Sequence, residues 1–222
     1  MIDDSKYIIR KATLDDVDFI AMVIIEAEKS MTNNLGLANF FELSESEIKD
    51  CLINILQEEV DGCEFSLSSF YVAEYDGEPV SALGGWLEGF YDKMPSAIIK
   101  SNLVGYVFPR ESVLKIRGKA DIVRALQIER EMGTYQLEYS YTRDEHRGHR
   151  LIQRLMMTHL AYAKELDPYV KKAQLHVFEN NKTIIKVHER SGFHIVRRYV
   201  SDNPQVLEYY PYNVELLMEK EL

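Results

Sequence analysis

The stretch HRGHRLIQRLM, residues 146–156, gathers His146, Arg147, His149 and Arg150 around Gly148 and then continues as a regular amphipathic helix. It follows a β-type run, TYQLEYSYT at 134–142. A turn that leaves a strand and opens a helix aims unpaired backbone N–H groups at one spot, at the positive end of the helix dipole, which suits a phosphate. Gly148 removes side-chain bulk where an anion has to approach, and an arginine fork matches phosphate oxygens. A solvated basic turn explains the same residues, and the motif alone does not separate the two.

Acid–base chemistry has a candidate on the preceding strand. Glu138 lies four residues before Thr142, so regular alternation places both side chains on one face. Burial that raised its pKa from ~4.3 would make it a proton acceptor, while a salt-bridged structural Glu fits the same position. Metal and nucleophile chemistries find no support. His146 and His149 stand three apart in a turn crowded with arginine, without the carboxylate–histidine frame of a zinc site. There is no G-x-S-x-G elbow and no Gly-Lys-Ser/Thr phosphate loop. Cys51 and Cys63 are too few for a disulfide scaffold and wrongly spaced for zinc, and they read as two reduced thiols of a cytoplasmic protein.

The elements that must position these residues alternate between strand and helix. KYIIRKA is a strand, and Thr13 caps the helix that follows it, with Asp15 and Asp16 in the first turn. A second helix starts at Ser44 or Ser46, with Glu47 as capping-box partner and Ile48, Leu52 and Ile55 at helical spacing. Asp76-Gly77 then joins two strands as a hairpin. After TYQLEYSYT and the basic turn come the helix LIQRLMMTHLAYAKEL, the strand KAQLHVFE, a short helix ended by Gly192, and the strands HIVRRYV and NVELLMEKEL.

Residues 90–132 break this order. They carry eight Lys and Arg against five Asp and Glu, with a helix expected near ADIVRALQIEREM, and read as an insertion between the third and fourth strands. The aromatics Phe90, Tyr91, Tyr106 and Phe108 suit a lid over an acceptor pocket, a homodimer contact or a structural pad. A chain of 222 residues, 46% hydrophobic and 28% charged, is expected to form one domain over 1–222 with a single sizeable core. Its net charge of −10 disfavours nucleic acid and anionic membranes as partners. The acidic N-terminus has no apolar run of signal-peptide length, and the expectation is a cytoplasmic protein without a membrane span.

YTRDEHRGHRLIQRLM, followed by NNKTIIKVHERSGF, resembles the two signature segments of the GNAT superfamily of acyl-CoA-dependent N-acetyltransferases. In that family the loop reads Arg/Gln-Gly-x-Gly-x-Gly/Ala, and its amides bind the pyrophosphate of coenzyme A. Arg147 and Gly148 match, whereas Arg150 and Ile152 stand where small residues are usual. The later segment matches through Asn181, Ile184, Ile185, Glu189, Arg190, Ser191, Gly192 and Phe193, with His188 replacing the usual tyrosine. The opening IIRKATLDDVDFI and closing LLMEKEL also look like the family's first and last elements, so the likeness spans the chain except roughly 90–132.

The resemblance implies an α/β (α+β) fold: a twisted, mixed, mainly antiparallel sheet with helices on both faces, opened as a V between strands 4 and 5. It implies acetyl-CoA as co-substrate, held by Arg147, Gly148, His149, Arg150, Leu151 and Ile152, with Asn181 either bonding the pantetheine arm or capping its helix. A backbone N–H near Tyr141 or Thr142 would receive the oxyanion, Glu138 would act as base, and His188 would protonate the leaving thiolate or pack beside the sulfur. No metal is called for. The expected reaction is acetyl transfer to an amine of a small molecule or peptide by direct attack in a ternary complex. A non-catalytic acyl-CoA-binding module on the same scaffold is the alternative.

Overall fold

The computed structural model describes residues 2–222. Seven strands form one sheet: β1 (Tyr7–Lys11), β2 (Phe70–Tyr75), β3 (Glu78–Leu87), β4 (Tyr135–Thr142), β5 (Lys172–Phe178), β6 (His194–Val200) and β7 (Val214–Glu221). They lie in the order β1-β2-β3-β4-β5-β7-β6, antiparallel throughout except for the parallel pair β4–β5. The helices are α1 (Val17–Lys29), α2 (Gly36–Phe41), α3 (Glu45–Leu56), α4 (Ser96–Val107), α5 (Arg110–Lys115), α6 (Ala120–Val123), α7 (Leu151–Leu166) and α8 (Lys182–Arg190). This is the mainly antiparallel sheet with helices on both faces that the sequence led us to expect. Among the described residues no helix is long and apolar enough to cross a membrane.

Alternating strands and helical stripes build two cores, one on each face. Ile20 and Ile24 of α1 pack with Ile48, Leu52 and Ile55 of α3 against Phe70, Val72 and Ala82 of the sheet. On the opposite face Leu155 and Met156 of α7 and Ile185 of α8 meet Tyr135, Leu137, Leu175, Leu216 and Met218. Local signals set the boundaries. Ser44 caps α3, with Glu47 Oε2 accepting from its N–H at 2.8 Å. Asp76 and Gly77 both take positive φ, 50° and 89°, as a two-residue hairpin matched to strand twist requires.

Helix α7 is fixed in depth by His159. Because the Leu83 carbonyl can only accept, His159 Nε2 carries the proton and donates to it at 2.8 Å, and Nδ1 accepts from Tyr135 Oη at 2.8 Å. Burial pushes this imidazole down to about 4, so it stays neutral and both bonds hold near neutral pH.

Between β3 and β4 the chain folds α4, α5 and α6. The helix expected over 120–132 ends early: α6 stops at Val123, a 3-10 turn runs to Leu126, and residues 127–132 are irregular. Helix α4 leaves no helical period in the sequence because its apolar residues are distributed around it rather than along one stripe. Phe108 is buried in the α1 core, and Phe90, Tyr91 and Tyr106 are exposed.

The register of β4 contains the feature on which the site turns. Gly84 pairs with Glu138 and Leu83 with Ser140, leaving Tyr139 unpaired as a β-bulge with φ +56°. Before the bulge, Tyr135 and Leu137 face the α7 core, so Glu138 points to the α1 side. After it, Tyr141 joins Tyr139 in the α1 core and Thr142 turns towards α7, its Oγ1 2.8 Å from Ser81 Oγ. Regular alternation would have put Glu138 and Thr142 on one face; the extra residue puts them on opposite faces. Pairing between β4 and β5 ends at Leu137–Leu175, although the strands run on to Thr142 and Phe178. The two strands thus part in a V.

Candidate active site

The V opens into a cavity of about 1510 Å³. Its walls come from the diverging ends of β4 and β5, the end of α1, the 146–153 turn, α8, the start of α4, and the segment from Leu126 to Arg130. Most small-ligand pockets occupy roughly 300–1,000 Å³, so this one has room for more than a single small molecule.

One end has the geometry that suits an anion. Arg150 is in the left-handed region with φ +57°, Gly148 has φ +89°, and α7 begins without a side-chain cap. Among the described residues, none of the amides from Gly148 to Gln153 has a protein acceptor. A Cβ at Gly148 would meet no atom within 4 Å, so the approach to these amides is open. Replacing small residues in this loop has not closed it: Leu151 is buried in the α7 core, Ile152 packs against the same core, and Arg150 is exposed.

Several of the turn's cationic residues hold the turn itself. His146 is buried with Nδ1 2.9 Å from Tyr7 Oη. His149, expected to face the cofactor, instead bonds the Asp4 carboxylate and packs on the Tyr7 ring. Its side chain is absent from the cavity wall. Arg154 reaches the Tyr7 carbonyl at 3.2 Å, and Arg147 pairs with Asp144 at 2.7 Å. Arg150, with Arg190 of α8, is left to meet an anion.

At the vertex, the Arg143 N–H donates to the Val80 carbonyl at 2.9 Å, towards β3. Alternation then turns the Tyr141 N–H towards β3 as well, and the N–H groups of Ser140 and Thr142 into the V. Of the two residues expected to offer an oxyanion donor, only Thr142 aims its amide there. Asn181 lines the cavity and caps α8, its Oδ1 accepting from the Ile184 N–H at 3.2 Å.

The other end is acidic and was not legible as a site in the sequence. Arg130 joins Glu138 at 2.5 Å to Glu64 at 3.1 Å, and Lys100 meets the same Glu64 oxygen at 2.5 Å. Burial would push the Glu64 carboxyl up, but Arg130 and Lys100 overcome this and hold it well below the usual range. Glu138, the expected base, is therefore engaged by a guanidinium. Among the described residues no cation pairs with Glu28: Tyr139 Oη donates to it at 2.8 Å, and burial, with negative Glu138 and Glu64 nearby, pushes its carboxyl up to about 7. Burial likewise drives Glu215 of β7 up to about 8, reinforced by Glu138 and Glu28.

Two histidines of the cavity wall, His188 and His176, are neutral near pH 7. His188, expected as an acid, is buried and held down at about 4 with its Nδ1 unpartnered, so it has no imidazolium to donate from. His176 is pushed down to about 3 by burial and by Arg130; its Nδ1 lies 3.9 Å from Glu215 and its Nε2 is unpartnered. The insertion walls the cavity with Pro95, Ser96, Lys100 and 126–130; Phe90, Tyr91, Tyr106 and Phe108, which suited a lid, a dimer contact or a structural pad, do not line it.

Over residues 37–193 the sequence matches the family model described as the Acetyltransferase (GNAT) family. The chain belongs to the GNAT acetyltransferase family. The sequence matches no curated protein. Solved structures similar to this GNAT protein include one called simply an acetyltransferase, at 24% identity and TM-score 0.61, covering 96% of this chain and 98% of that one. An N-acetyltransferase from Staphylococcus aureus Mu50 aligns at 14% identity and TM-score 0.63, over 96% and 99% of the two chains. A mutant agmatine N-acetyltransferase in its apo form aligns at 12% identity and TM-score 0.56, over 98% and 100%. At these identities the likeness is one of fold.

Arg130→Gln should leave Glu64 and Glu138 undercompensated at the cavity floor and cost about 3 kcal/mol of stability, as breaking a buried ion pair does. Urea unfolding would measure it, and adding Glu64→Gln should recover part of the loss. A loss below about 1 kcal/mol would show that Lys100 alone neutralises the cluster.

Proposed function

We propose that this GNAT protein transfers an acetyl group from acetyl-CoA to an amine by direct attack within a ternary complex. The observation that carries this reading is a single cavity joining a crown of unpartnered amides to two carboxyls that titrate near neutrality.

The diphosphate of coenzyme A fits the Gly148–Gln153 amides at the positive end of α7, beside Arg150 and Arg190. The pantetheine arm then enters the V past Asn181, which brings the thioester to the diverging ends of β4 and β5. The Thr142 N–H is placed to stabilise the carbonyl oxygen as it gains charge.

An amine reacts only as the free base. Glu28 takes the proton from the bound ammonium, because a carboxyl near 7 is a competent acceptor at neutral pH. The nitrogen forms its bond to the carbonyl carbon and gives up a second proton to water, the C–S bond breaks, and the sulfur leaves with the electron pair. A thiol of pKa ~8.5 in the cysteine model is a good enough leaving group to take its proton from water, so neutral His188 is needed only as a wall of the cavity.

Arg150→Glu puts an anion beside the diphosphate and should weaken coenzyme A binding about tenfold or more by calorimetry, an effect that shrinks with added salt. Unchanged affinity would place the diphosphate elsewhere. Glu28 protonates as pH falls, so turnover should drop through about pH 7. Glu28→Gln should lower kcat by about 10²-fold or more and flatten that acid limb. A variant as fast as the parent at every pH removes Glu28 from the base role.

A further inference from the structure

We infer that the acceptor is a small organic dication, with one cationic nitrogen held by Glu215 while the other, beside Glu28, is presented to the thioester. This rests on the acetyltransferase reading of the same cavity and names its substrate class.

The acidic end of the cavity carries more negative charge than its cations offset. Around the acidic end stand four carboxyls, Glu28, Glu64, Glu138 and Glu215, and two cations, Lys100 and Arg130. Both cations are committed: Lys100 to Glu64, and Arg130 to Glu64 and Glu138. Arg147, Arg150 and Arg190 belong to the opposite end of the cavity, and the other charged residues of the wall do not supply a counter-ion. Glu26 pairs outward with Lys29, Glu88 is satisfied by the Trp86 Nε1–H and the Ser96 N–H, and Glu129 adds a further negative charge. Glu28 is left with a phenol and Glu215 with a neutral imidazole.

A half-buried carboxylate needs a cation or a proton. In this cavity both uncompensated carboxyls resolve the deficit by holding protons to unusually high pH. A ligand carrying two positive charges would neutralise the pair and displace those protons.

Among the described residues two buried ring nitrogens of the cavity wall lack partners. His188, 6% exposed, lines the cavity with its Nδ1 unpartnered, and His176 beside Glu215 lines it with an unpartnered Nε2. The one on His176 lies at the Glu215 end, where polar satisfaction is therefore incomplete. The Glu215 side chain is only 13% exposed, so its partner must be slim enough to reach past the wall. An unbranched amine meets that condition; a folded protein surface does not.

The roles of the two carboxyls differ by position. Glu28 is tied to Tyr139, the bulge residue adjoining the vertex. Glu215 lies across β5 on β7, opposite Phe178, and so takes the non-reacting end.

The test measures acetyl-CoA-dependent thiol release with monoamines, α,ω-diamines of three to six methylenes, and a short peptide with a free amino terminus. The full-length protein and Glu215→Gln are compared, with thermal unfolding confirming that the variant is folded. Calorimetry of each amine runs in parallel.

For the parent, kcat/KM should favour a diamine over the monoamine of equal length by at least tenfold. In Glu215→Gln that ratio should collapse to within about threefold, through a rise of about 10- to 100-fold in diamine KM, the effect of losing one charge-assisted hydrogen bond. Equal use of monoamines and diamines by the parent, an unchanged ratio in the variant, or preference for the peptide overturns the inference and leaves acetyl transfer standing. Diamine binding that Glu215→Gln abolishes, without turnover of any amine, supports the dication site and sinks the transfer reading. Neither binding nor turnover sinks both.

Discussion

One extra residue in β4 governs the site. The bulge at Tyr139 ends regular pairing just beyond Leu137, reverses which side chains face which core, and lets β4 and β5 part. Without it the sheet would close over the space that the cavity occupies. The bulge also places Tyr139 where its hydroxyl reaches Glu28, so a single backbone irregularity sets the opening and orients the carboxyl beside it.

The cavity is electrostatically two-ended, and each end is held by groups that do no chemistry. At the anion end, His146, His149 and Arg154 tie the turn to the N-terminal region around β1, which keeps the amides of Gly148–Gln153 in place and leaves Arg150 free to meet the anion. At the acidic end, Arg130 and Lys100 neutralise Glu64 and Glu138, and the insertion supplies both cations. Because those cations are committed, Glu28 and Glu215 remain short of positive charge. A site that is electropositive where a diphosphate would lie and electronegative where an ammonium would lie orients two substrates towards one vertex.

The fold was legible wherever periodicity and local chemistry agreed. The hairpin at Asp76-Gly77, the capped α3, the α7 stripe and the parallel β4–β5 crossover all follow from residues close in sequence. Chemistry that depends on distant partners was not legible. Glu28 carried a readable signal, since it follows Ile24 by four residues and Ile25 by three on a buried helical face, an expensive place for a carboxylate. Glu215 carried none, because alternation in β7 assigns it to the face away from the buried Val214, Leu216 and Met218 without revealing that a cavity lies there. Arg130 sits in a segment with no period, and pairing with it is what withdraws Glu138 from the role that strand alternation suggested. The His149 side chain turns away from the cavity for a similar reason: only the folded chain brings Asp4 to it.

Everything rests on the amides ahead of α7 gripping a diphosphate so that the thioester reaches the vertex beneath the Tyr139 bulge. Backbone ¹⁵N shifts recorded while acetyl-CoA is titrated into the protein test this most directly. The account predicts the largest movements at Gly148–Gln153, accompanied by Ser140 and Thr142. Shifts confined to other surfaces, or movement of the turn without the β4 amides, would contradict it.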